Sequence, residues 1–83
     1  MDSAQVAAMQ KAGNIHGLIE ALHDPDEYIR AAAADALGGF ADPRVAEALE
    51  TVKFCDPALR VKRAASYAHS RVVERIRTRE EQS

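Results

Sequence analysis

Arg60, Arg63, Tyr67 and Arg71 stand at i, i+3, i+7 and i+11, a spacing that puts them on one face of any helix that carries them. Guanidinium forks match carboxylate and phosphate oxygens, and Tyr and Arg are favoured anchors at protein interfaces. The four lie inside a longer basic stretch, residues 60–79, where Arg60, Lys62, Arg63, Arg71, Arg75, Arg77 and Arg79 meet a single Glu74. Such a stripe can engage an acidic protein surface or a phosphate backbone. It also has the composition of an ordinary solvated helix face, and cations near a helix C-terminus are favoured by the helix dipole. A net charge of −2 and an isoelectric point near 5.9 make nucleic acid the lesser partner.

Other chemistry-bearing residues make weaker cases. His16 and Glu20, at i and i+4, can present two ligands side by side. His23, however, falls in a turn, His69 lies far along the chain, and neither CxxC nor HExxH occurs, so no metal is expected. Cys55, beside Phe54, reads as a small buried or half-buried residue rather than a nucleophile. A Gly-rich phosphate loop, a dinucleotide fingerprint and a Gly-x-Ser-x-Gly elbow are all missing. The chain therefore reads as non-enzymatic and without a cofactor.

The elements that position these residues are marked by their boundaries. All three prolines follow aspartate, in Asp24-Pro25, Asp42-Pro43 and Asp56-Pro57. Asp at the N-cap accepts a free amide of the first turn, and Pro at the next position loses no hydrogen bond. Glu27 completes a predicted capping box with Asp24. Gly13-Asn14 marks another boundary, and Gly38-Gly39 ends the helix that Asp24 starts. Between these signals the apolar residues recur with helical spacing, as in Ile15, Leu18, Ile19 and Leu22, or Val61, Ala64, Ala65, Ala68, Val72 and Ile76. The spacing predicts five helices at about 3–12, 15–23, 25–38, 43–53 and 57–78, and leaves open whether the last is continuous or breaks near His69-Ser70.

The chain also repeats itself. Leu18-Ile19-Glu20-Ala21-Leu22 aligns with Ala48-Leu49-Glu50-Thr51-Val52, and Asp24-Pro25 with Asp56-Pro57, after a two-residue insertion around Phe54-Cys55. Ile29 then matches Val61, Arg30 matches Lys62, and Ala32 and Ala33 match Ala64 and Ala65. A helix pair recurring at about 30 residues is the signature of an α-solenoid. The stretch LIEALHDPDEYIRAAAADALGGFADPRVAEAL resembles the HEAT-like repeat, particularly the short variety found in phycobilin lyase-type proteins. The fold expected is all-α: a short solenoid of about two HEAT-like hairpins, with residues 3–12 as a capping helix. Residues 1–79 form one domain and residues 80–83 a polar tail.

The resemblance implies a scaffold or adaptor that binds a protein partner through its second-helix face. Tyr28, Arg60, Arg63, Tyr67 and Arg71 are the expected contact residues. It implies a structural role for Arg30, and for Lys62 at the equivalent place, in pairing with aspartates of the turns such as Asp24, Asp26 or Asp56. The alternatives are nucleic-acid binding through residues 60–79 and service as an accessory subunit of a bilin lyase-like enzyme.

Composition sets the remaining limits. The 83 residues are 47% hydrophobic and only 5% aromatic, and 17 of them are alanine. Alanine favours helices that pack closely but buries little area, and a domain this small hides only about 60% of its unfolded surface. Two units fall short of the three or so that stabilise an array, so an open end is expected to drive homodimerisation. Charge is unevenly spread: residues 1–43 carry two basic and seven acidic groups, residues 44–83 nine and six. The single Cys55 excludes an internal disulfide. Without a leader-like segment or an apolar run of membrane-spanning length, the chain is expected to be cytoplasmic, and its Met start and polar end read as a complete small gene product.

Overall fold

Side-chain caps set the helix boundaries. In the computed structural model, which describes residues 1–82, the helices are α1 (Ser3–Ala12), α2 (Ile15–Ala21), α3 (Glu27–Leu37), α4 (Pro43–Cys55) and α5 (Leu59–Glu81). Asp2 and Gln5 form a reciprocal capping box at the start of α1. Gly13 closes that helix in the left-handed region, at φ 71°, and Asn14 caps α2 by accepting the Gly17 amide.

The three Asp-Pro turns begin alike and then diverge. In each, the Asp carboxylate accepts the amide two residues on: Asp24 from Asp26, Asp42 from Arg44 and Asp56 from Ala58. Only Asp42 behaves as the spacing predicts, as an N-cap with Pro43 in the first turn of α4. After Asp24 and Asp56 the helix starts two residues late. Asp26 is the true cap of α3, accepting the Tyr28 amide, so the predicted Asp24–Glu27 capping box does not form. The cause is visible at the first turn, where the Arg30 guanidinium takes the carbonyls of Asp24 and Pro25 and holds them off the helical path. At the second, α5 opens from Ala58 with no side-chain cap at all.

The last helix is continuous through His69-Ser70. The Ser70 hydroxyl donates back to the Ser66 carbonyl, so it is satisfied inside the helix. His69 is half-buried and turns its Nε2 toward Glu50 of α4, 3.6 Å away. Val72 beyond it is fully buried and Ile76 packs on the core, so the apolar stripe continues through the suspected break. The Phe54-Cys55 insertion simply lengthens α4.

Two hairpins, α2–α3 and α4–α5, stack side by side, with α1 packed on α2 and α3 in the place of a preceding second helix. The second helices α3 and α5 run parallel in direct contact, while α2 and α4 touch only slightly. The result is a slab of 39 × 27 × 14 Å between Cα extremes. Its large core residues are Leu18, Leu22, Leu37, Val45, Leu49, Val61 and Val72. Between them Ala33, Ala34, Ala65 and Ala68 are each 0% exposed, which is why so much alanine is needed: a bigger side chain has nowhere to go. At the end of α3, a Cβ on Gly38 would come within 3.3 Å of the Ala68 Cβ and 3.0 Å of an Arg71 Nη1.

Overpacking this seam is costly. Ala65→Leu is expected to destabilise the fold by about 2 kcal/mol, whereas Ala7→Leu on the exposed side of α1 stays within about 0.5 kcal/mol of wild type. Urea denaturation of the two variants checks both values.

Candidate functional site

Arg30 ties the two hairpins together. Its Nε donates to Asp56 Oδ2 at 2.9 Å and its Nη2 to Asp56 Oδ1 at 3.3 Å, while Nη1 donates to the carbonyls of Asp24 and Pro25. One guanidinium thus spans the turn of the first hairpin and the turn of the second. Both side chains are shielded, Arg30 at 14% exposure and Asp56 at 7%. Burial pushes the Asp56 carboxyl upward. Hydrogen bonds from Arg30 and the Ala58 amide, and then the charges of Arg30 and Lys62, outweigh burial and hold it below the ordinary carboxylate range. Lys62, at the repeat position of Arg30, contributes to this turn through its charge.

Asp42 is also lowered, chiefly by the side-chain hydrogen bond from Arg44, but that pair lies on the surface. Beside the clasp lies an open cleft of about 390 Å³ between the turns, with His23 and Cys55 on its rim. Cys55 is exposed and not buried as expected, because the longer α4 carries it out past the core. Pro25, Pro43 and Pro57 are exposed at their turns.

The clasp sets α3 and α5 level with one another, and this assembles the face on which the contact residues stand. Arg60 lies over the Tyr28 ring, 4.5 Å from its centroid, and its Nε is 4.0 Å from Glu27 Oε2. Arg71 lies 5.7 Å from the Tyr67 centroid. Tyr28 and Tyr67 are 61% and 68% exposed, so neither ring is spent on packing a neighbouring helix. Arg63 is exposed, and Ala31 and Ala64 line the seam between the helices as half-buried residues. Arg60 and Arg71 thus border the α3–α5 seam, beside Tyr28 and Gly38 respectively, while Arg63 and Tyr67 are exposed on α5.

The basic stretch does not act as one stripe. Arg75 donates to the Gly38 carbonyl, Arg77 binds Glu74 and lies near Glu81, and Arg60 is beside Glu27. Among the described residues, Arg63 and Arg71 have no carboxylate partner. Sequence reasoning missed the part played by Glu27, which faces Arg60 across the seam, and by Asp35, exposed on α3, as well as Leu59, Phe54 and Val73, which are exposed on α4 and α5. Position relative to a neighbouring helix decides these, and a single-helix pattern does not carry that information. His16 pairs with Glu20 at 2.9 Å on the surface. Among the described residues no three His, Cys, Asp or Glu side chains converge as a metal site, and no helix is long and apolar enough to cross a membrane.

The clasp makes stability depend on acid. A carboxyl lowered in the folded state contributes stability above its unfolded range, and this is lost as pH falls through the lowered value. Asp56→Ala is expected to cost about 3 kcal/mol at neutral pH by leaving Arg30 uncompensated. The gap to wild type narrows as pH drops below about 4, and thermal melts of the two proteins across that range measure it.

Neither a curated protein nor a solved structure matches the chain. A family model, described as HEAT repeats, matches residues 15–80. That span starts with α2 and runs through nearly all of α5, taking in both hairpins and leaving out the α1 cap. HEAT repeats generally serve as non-catalytic scaffolds for protein–protein interaction. By its paired helices, its repeated Asp-Pro turns and the reach of this match, the chain belongs to the HEAT-repeat family.

Proposed function

We propose that the protein is a small HEAT-repeat adaptor that binds a protein partner on the exposed α3–α5 face, through Tyr28, Arg60, Arg63, Tyr67 and Arg71. The observation that carries this reading is the exposure of Tyr28 and Tyr67, each with an arginine stacked against it, on one side of the molecule. Tyr and Arg bury large area with few torsions to freeze, and a guanidinium held over a ring is already positioned for a carboxylate. A solvated face gains nothing from exposed tyrosines. The small residues of the seam leave room between the two pairs for a partner side chain.

Tyr67→Ala and Arg71→Ala are expected to weaken capture of native partners by at least about tenfold each, with the melting temperature unchanged. The check is quantitative pull-down beside a surface control such as Thr78→Ala. Equal recovery by both variants and wild type would place the contact face elsewhere.

A further inference from the structure

Acidic and basic groups lie side by side on the face just described, on two parallel helices. On α3, Glu27 and Asp35 are eight residues apart; on α5, Arg63 and Arg71 are also eight residues apart. Either pair spans about 12 Å along its helix. Asp35 is exposed, and among the described residues it has no ion pair. Arg63 and Arg71 likewise have no carboxylate. Each helix thus carries charges complementary to those of the other, and on this face Glu27–Arg60 is the pair closed within one protomer among the described residues.

We propose that the occupant of this face is a second copy of the chain, in a two-fold dimer in which α3 of each protomer lies on α5 of the other. The proposal rests on the reading of the face as a partner surface, and names the partner. A two-fold axis along the helices exchanges α3 with α5 and preserves height, so the register is fixed by symmetry. Heights within one protomer follow from its own contacts: Tyr28 is level with Arg60, and Gly38 with Arg71 and Arg75. In the dimer the partner's Asp35 is therefore level with Tyr67, one helical turn from both Arg63 and Arg71. The partner's Glu27 comes level with Arg60, one turn from Arg63. Every such contact occurs twice.

A perpendicular axis would set α3 on α3 and α5 on α5, opposing like charges, which selects the parallel arrangement.

Sedimentation equilibrium from micromolar to sub-millimolar concentration tests this. The wild type is expected to dimerise, more weakly as salt is raised. Asp35→Arg alone and Arg63→Glu/Arg71→Glu together are each expected to weaken self-association by at least about tenfold, since like charges then face each other. An equimolar mixture of the two variants restores a dimer that contains one of each, because the charge at position 35 of each protomer again faces opposite charges at positions 63 and 71 of the other. A second measurement does not depend on those charge reversals folding. In a Cys55→Ser background, Asp35→Cys and Tyr67→Cys proteins form a mixed disulfide dimer on oxidation faster than either does alone. A monomeric wild type throughout, variants that dimerise like wild type, or a mixture that stays monomeric overturns the proposal. A monomer that still loses captured partners with Tyr67→Ala and Arg71→Ala removes the dimer and leaves the adaptor reading intact.

Discussion

The fold depends on one guanidinium. Among the described residues, Arg30 is the only side chain that binds the turns of both hairpins, and it does so with a two-pronged grip on Asp56 and two backbone carbonyls. An isolated surface ion pair contributes little, because water competes for both partners. This pair is shielded, and each member also has uncharged partners, so removing either leaves a charge stranded in poor solvent. The same bonds shape the first turn and delay the start of α3, which sets the height at which Tyr28 meets Arg60. An interaction made for packing thereby determines the arrangement of the exposed face.

Around that clasp the core is economical to the point of fragility. Fully buried alanines let α3 and α5 come close, and the large apolar residues sit mainly between the first and second helices of each hairpin. Close approach gains dispersion contacts but little hydrophobic area. A polar clasp is a sensible complement to such a core, since it fixes the relative position of units that hydrophobic burial alone holds only loosely. The long α5 adds a further anchor, carrying Val72 and Ile76 beyond the end of its counterpart α3 and bringing Arg75 to the Gly38 carbonyl.

Much of this was legible in the residues. Gly13-Asn14 and Asp42-Pro43 predict boundaries that the structure shows, because in both the cap is a local matter of one side chain and one amide. Asp24 and Asp56 were harder: their local bonds match the expectation, but the carbonyls of the first turn are claimed by Arg30, which is itself held by Asp56 in the next hairpin. The continuity of α5 through Ser70 depended on a hydroxyl turned back to its own helix and on Glu50 across the gap. For the face, helical spacing groups Arg60, Arg63, Tyr67 and Arg71, and all four lie on the one continuous helix α5. Spacing had no means of showing that Glu27 and Tyr28 stand opposite Arg60, since that follows only from how two repeats stack.

The clasp lies at one edge of the slab, where α3 and α5 begin, while the opposite edge has one guanidinium-to-carbonyl bond, from Arg75 to Gly38. The two edges are thus held by different means: polar bonds where Tyr28 meets Arg60, and the close packing of Ala68 and Val72 near Gly38. A substitution at either edge is felt through a different kind of force, charge at one and shape at the other.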